Sequence, residues 1–229
     1  MAKVKFSALI SEMRGKLNGS VFSKNRSGNI LRNKVTPINP STSDQARART
    51  LFTNFSQKWQ TLDPAAQKAW HSSSQDYKRN NIFGDAFTPT GSNLYCELNA
   101  NMALIGGTEL THPPLHLPIA GITSFTTAID SSAGTFTIDF DPTPTASDVV
   151  HLVFATRCYS PGRTYVKNEY RIIGTIDAAS ATPFDAFDIW SAKFGDLIQG
   201  QMISVRLVAV HKKTGVKFKP GNDLAGKVL

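Results

Sequence analysis

The sequence predicts an α+β multidomain chain: an extended basic β-arm with a helical hairpin, followed by an antiparallel β-sandwich. Three observations predict it. Net charge is confined to the head, because residues 1–50 carry ten lysines or arginines against Glu12 and Asp44, whereas the other 179 residues balance 15 against 15. An amphipathic helical stripe runs from Ala48 to Leu62. From Gly121 onward the apolar pattern changes to the alternation of strands. With 229 residues, 41% of them apolar, the chain is long enough for one large domain or two small ones and too apolar for the disordered class. The expected division is 1–35 arm, 36–110 helical domain, 111–120 linker and 121–229 sandwich.

The arm reads as short apolar bursts between glycine turns. Val4, Phe6, Ala8 and Ile10 alternate, followed by Val21-Phe22 and Ile30-Leu31. Asn18-Gly19 is a hairpin signal, since these residues enter the left-handed conformations that tight turns demand. Polar residues surround every burst, so the segment is expected to lie against another chain or another part of this one. Pro37 and Pro40 then end the extended run, because proline donates nothing to a β-ladder.

Thr42-Ser43-Asp44-Gln45 is a capping-box sequence that opens a helix. Ala48, Leu51, Phe52, Phe55, Trp59 and Leu62 follow at helical spacing and form one apolar face. Asp63-Pro64 stops that helix and starts the next, with Asp63 as N-cap and Pro64 at the first helical position. Phe52, Phe55, Trp59 and Trp70 are the expected helical core. A third helix is predicted over about 92–105, with Leu94, Tyr95, Leu98 and Met102 inward and Gly106-Gly107 ending it. The proline-rich run around Pro113 and Pro114 is the expected linker.

Strands are predicted over 124–129, 135–140, 149–156, 165–175, 203–211 and 216–219, with one short helix over 187–194. Residues 135–140, Thr-Phe-Thr-Ile-Asp-Phe, show the strict alternation of a half-buried strand. Strands at this spacing point to a sandwich of the immunoglobulin or fibronectin type.

No nucleophile elbow, P-loop, dinucleotide fingerprint or zinc-protease motif is present, so the chain is read as a non-enzyme without a catalytic residue, metal or cofactor. His112 and His116 flank two prolines that keep the rings off one helix face, which makes them a linker pair and not a metal site. Asp139, Asp141 and Asp148 lack calcium-loop spacing. Cys96 and Cys158 are expected as free buried thiols, and His151 and His211 as satisfied sheet residues. Arg163, on the turn Ser160-Pro161-Gly162-Arg163, reads either as a solvated hairpin tip or as a contact to a partner or an acidic glycan. The opening ten residues lack the apolar core of a signal peptide, and no stretch approaches the ~20 apolar residues of a membrane helix. The expectation is a soluble chain of the cytosol with no membrane partner.

The informative cluster is the basic arm. Arg14, Lys16, Lys24 and Arg26 flank glycine turns with accessible backbone N–H groups, and Arg32 and Lys34 follow. Such cations suit phosphate contacts that ignore sequence and weaken with salt, or serve as an intersubunit arm. Only Phe6 and Phe22 offer stacking surfaces there, so base readout is not indicated.

Residues 47–79 resemble the last two helices of an HMG box, through Phe52, Phe55, Lys58-Trp59-Gln60, Leu62, Lys68, Trp70, Tyr77 and Lys78-Arg79. The first helix of that box, with its DNA-wedging residues, has no counterpart here. Over most of its length the chain resembles a group of uncharacterised proteins encoded by phages and prophages of Bacteroidetes-type hosts. Gly15-Lys16-Leu17-Asn18-Gly19-Ser20-Val21-Phe22, Asn25-Arg26-Ser27-Gly28, Asn39-Pro40-Ser41-Thr42 with Gln45, Trp59 and Leu62 with Ala69-Trp70, Ser160-Pro161-Gly162-Arg163 and Phe194-Gly195-Asp196-Leu197 carry the likeness. It implies a virion-associated structural protein with a terminal β-sandwich. Such a protein is made in the host cytoplasm and has other virion subunits as its expected partners, with packaged nucleic acid as the alternative contact of the arm. Capsid or tail attachment through the arm is the first expectation. A sequence-nonspecific nucleic-acid binder is the second, and a glycan- or host-binding sandwich is the third. The third lacks a tryptophan cluster for sugar stacking, since Trp190 stands alone in that half.

Overall fold

A computed structural model describes residues 2–7, 9–10, 12–25, 28–36, 39–80, 86–115, 117, 119–218 and 223–229. These residues form an α+β protein with four α-helices and several antiparallel sheets. The chain divides into two compact units, Met1–Ala46 and Arg47–Leu229.

The first unit is a four-stranded antiparallel sheet of β1 (Ala2–Lys3), β2 (Gly15–Leu17), β3 (Ser20–Asn25) and β4 (Gly28–Asn33), in the order β1-β4-β3-β2. Asn18-Gly19 closes the β2–β3 hairpin with Leu17 opposite Ser20, and Asn18 takes the left-handed φ of 49° that such a turn requires. Among the residues of this unit whose side chains are described, none is buried. Its apolar contacts are partial, as in the Phe6 and Phe22 rings 6.3 Å apart.

Helix α1 (Ser43–Thr61) opens on the expected capping box. The Thr42 N–H donates to Gln45 Oε1 at 3.3 Å, and the Gln45 N–H donates to Thr42 Oγ1 at 3.4 Å. Helix α2 (Pro64–Ser73) starts where Asp63 accepts from the Ala65 N–H at 3.2 Å, with Pro64 at its first position. A 3₁₀ turn (Ser74–Asp76) and a two-stranded ladder of β5 (Arg79–Asn80) and β6 (Ala86–Phe87) precede α3 (Gly91–Leu104). Helix α3 begins against α2 so closely that a Cβ on Gly91 would lie 2.8 Å from the His71 backbone nitrogen.

The helical core centres on Tyr95. The Trp70 ring meets it edge-on at 5.4 Å, Phe55 edge-on at 6.3 Å, and Trp59 lies at 5.6 Å. The indole N–H of Trp70 donates to the Thr111 carbonyl at 3.1 Å, so this buried donor is satisfied. Phe52 departs from the expectation: it is 62% exposed and outside the cluster that holds Phe55 and Trp70. Helical spacing places it beside the Leu51–Phe55 stripe, but the Tyr95-centred cluster is completed without it.

The C-terminal part holds two further sheets. One has β7 (Ser124–Asp130), β8 (Thr135–Asp141) and β11 (Phe184–Asp185) in the order β11-β8-β7. The other has β9 (Val149–Ala155), β10 (Arg171–Ile176), β12 (Met202–His211) and β13 (Lys217–Phe218) in the order β10-β9-β12-β13, with β14 (Leu224–Lys227) also pairing β12. A single hydrophobic cluster draws Ile129, Phe136, Ile138 and Phe140 from the first sheet and Val153, Ala155, Val205 and Leu207 from the second. Helix α4 (Phe187–Phe194) adds Trp190, whose indole N–H donates to the Thr156 carbonyl at 2.9 Å.

Two readings of this part are corrected. The strand expected over 165–175 is confined to β10, and 156–170 runs as a loop that carries the Ser160–Arg163 turn. Lys167-Asn168-Glu169 breaks the apolar alternation there. Strands β11 and β14 were not expected, because Phe-Asp is too short to show a period and Leu-Ala-Gly-Lys has weak strand propensity.

Candidate functional site

The candidate interface is the N-terminal basic sheet. Pairing fixes which cations share a face, because residues directly opposite on neighbouring strands point to the same side. Lys16 stands opposite Val21, and Val21 opposite Arg32. The Lys34 N–H donates to the Gly19 carbonyl at 2.8 Å, two positions beyond Arg32, which continues the ladder. Lys16, Arg32 and Lys34 therefore line one side of the sheet, with Val21 and Ile30 between strands. All three are exposed, and none forms an ion pair among the described residues.

Arg14 and Lys24 have a different arrangement. Arg14 donates to the Glu12 carboxylate from Nη2 at 2.7 Å and Nε at 3.0 Å, and Lys24 Nζ lies 3.4 Å from the same oxygen. The Arg14 hydrogen bonds, aided by Lys24, hold the Glu12 carboxyl below the usual carboxylate range. Lys24 falls on the face of Phe22 and Leu31, opposite the Lys16–Arg32 face, by the alternation of β3. Lys24 thus has a carboxylate beside it on one face, whereas the trio on the other face has none among the described residues. Arg26 lies outside the described residues.

The unmatched trio is suited to an extended anion. Adjacent strands lie about 4.8 Å apart, so Lys16 and Arg32, two strands apart, set their charges on the order of 10 Å from one another. That spacing spans more than a single phosphate or carboxylate. Exposed cations of this kind act as point charges toward an anionic chain and carry no base-reading geometry.

The other sequence-predicted site residues serve the helical core. Phe55, Trp59 and Trp70 gather at Tyr95, and Phe52 does not join them. Around that core lies a polar link that sequence reading missed. The Tyr95 hydroxyl donates to Glu109 Oε1 at 2.8 Å, and Lys58 forms an ion pair with the other carboxylate oxygen. Burial, then the Glu109 bond, raises the Tyr95 phenol well above its ordinary value. Burial would raise Glu109, but the bonds from Lys58 and Tyr95 outweigh it and hold the carboxyl low. A Lys58-to-Glu109 separation of 51 residues gives no local signal by which sequence could reveal the pair.

His112 bonds its neighbour Thr111 at 3.1 Å, while His116 lies outside the described residues. Among the described residues no group of three or more histidine, cysteine or carboxylate side chains converges on one point. Cys96 and Cys158 are both free thiols, and burial pushes the Cys158 thiol upward, away from the reactive thiolate. No family model matches the chain, and no curated protein or solved structure is significantly similar to it.

Proposed function

We propose that this protein is a non-enzymatic structural component of a phage particle, seated by its basic N-terminal sheet, with an immunoglobulin-like sandwich as its C-terminal part. The observation that carries the reading is the sheet of β1 to β4, in which none of the residues with described side chains is buried. A sheet of this size needs a covered apolar face for stability. Phe22, Leu31, Val21 and Ile30 supply partial apolar faces that a neighbouring subunit would complete. In this reading a neighbouring subunit covers the head on assembly, and its cations set where it docks. The sandwich assignment rests on the cluster shared by the two C-terminal sheets.

A second reading is favoured by one specific feature, the unmatched trio of Lys16, Arg32 and Lys34 on a single face. It makes the head a sequence-independent contact to nucleic acid, within the particle or outside it.

One experiment separates the two. Particles banded on a density gradient from a strain carrying the gene are analysed by mass spectrometry, before and after a wash in high salt. Copies at fixed stoichiometry that survive the wash are expected for a head seated by strand and apolar packing. Copies lost in salt along with bound DNA favour the phosphate reading. Absence from particles overturns the structural role.

A further inference from the structure

We infer that the outer face of the β10-β9-β12-β14 sheet carries a binding cleft for an acidic saccharide, a polyhydroxyl ring bearing a carboxylate. Alternation along β12 sends Ile203, Val205 and Leu207 into the core and turns Ser204 and Arg206 outward. The 156–170 loop rises beside them and encloses a cleft of about 590 Å³. That volume is within the range of small-molecule sites, roughly 300–1,000 Å³.

Three of the chain's five tyrosines, Tyr159, Tyr165 and Tyr170, meet in this lining. Their gathering is a product of the fold, since the loop and β12 lie more than thirty residues apart. The lining is held in place before any ligand arrives. The Tyr159 backbone exchanges hydrogen bonds with Met202 at 3.0 and 2.9 Å, and its hydroxyl lies 2.7 Å from Ser204 Oγ. The Arg206 guanidinium sits 3.9 Å over the Tyr170 ring and grips Asp223 with two hydrogen bonds, Nε to Oδ1 at 2.6 Å and Nη2 to Oδ2. Tyr165 is 62% exposed and presents a flat apolar face to incoming ligand.

A sugar ring has an apolar C–H face and a rim of hydroxyls that both donate and accept. The cleft offers the matching set: the exposed face and hydroxyl of Tyr165, the exposed Thr164 hydroxyl, the Asp223 carboxylate as acceptor and Lys167 as donor. Charge selects the acid. Asp223 matches Arg206 and Glu169 pairs with Arg163, which leaves Lys167 as the lining cation with no ion pair among the described residues. One such cation suits one carboxylate per site, whereas a nucleic acid brings a phosphate at every nucleotide and meets a single unmatched charge here.

Titration of the isotopically labelled full chain with 3′-sialyllactose and methyl glucuronide, against lactose and methyl glucoside, tests this by amide shifts and calorimetry. At least one acidic sugar is expected to shift residues 159–170 and to bind tenfold or more tightly than its neutral counterpart. Tyr165→Ala should weaken that binding at least tenfold. Lys167→Gln should bring acidic and neutral sugars to within about twofold of each other. Both side chains are exposed, so the variants keep the parent amide spectrum outside the cleft. Three results overturn the inference: no shift at 159–170 with either acidic sugar at 10 mM, affinity unchanged in Tyr165→Ala, or tighter occupation of the cleft by hexathymidylate or hexaglutamate than by the sugars.

Discussion

At the scale of single residues, His151 gives the clearest prediction. It was expected as a satisfied sheet residue, yet only half of the imidazole is satisfied: Nε2 accepts the Ile122 N–H at 3.3 Å, and Nδ1 has no hydrogen-bond partner. Burial pushes its pKa down from 6.5 to about 4. The unfolded chain therefore takes up a proton between those values that the folded chain refuses. Stability attributable to this site is complete above pH 6.5 and is lost as pH falls through that window. A shift of this size corresponds to about 3 kcal/mol. Urea unfolding at pH 7 and pH 4.5 should show the parent losing roughly 2 kcal/mol more than His151→Gln, which keeps an acceptor for Ile122. Equal losses would assign the acid sensitivity to carboxylates instead. Phe52 teaches a related lesson, because helical periodicity marks a stripe but the Tyr95 cluster decides which members of it are covered.

At the scale of elements, local chemistry was legible and tertiary placement was not. Thr42 with Gln45, Asp63 with Pro64, and Asn18-Gly19 each satisfy backbone groups a few residues away, so short sequence windows contain all of their physics. The 156–170 loop depends on distant anchors, the Met202 pairing and the Trp190 bond to Thr156, and no window of neighbouring residues reveals them. The turn after β12 depends on helix α3 in the same way. Asn101 Nδ2 donates to the Gly215 carbonyl at 2.8 Å. Gly215 has a φ of +67°, and a Cβ there would lie 2.5 Å from the Leu98 carbonyl oxygen. Gly215→Ala thus meets both a conformational and a steric obstacle, with an expected loss of at least about 2 kcal/mol in urea unfolding. An unchanged midpoint would mean that the turn moves away from α3 freely.

At the scale of the whole molecule, eight of the ten lysines and arginines in residues 1–50 fall in the unit Met1–Ala46. Which cations share a face was beyond reach, because it depends on the register of β2 against β3 and β4. Both hydrophobic clusters are built from residues of the second unit alone. Deletion of residues 1–40 is accordingly expected to leave the cooperative unfolding midpoint of the remainder within about 0.5 kcal/mol of the parent, while incorporation into particles is lost. A large fall in the midpoint would make the head part of the folded body. The Asn101–Gly215 bond has a practical consequence for building hybrids. A chimaera that exchanges the C-terminal sheets at the proline-rich segment inherits a turn shaped for a different helix. Crossover belongs near residue 40, ahead of α1 and its capping box, where a transplanted head keeps its own ladder and the recipient keeps α3 and the turn it holds.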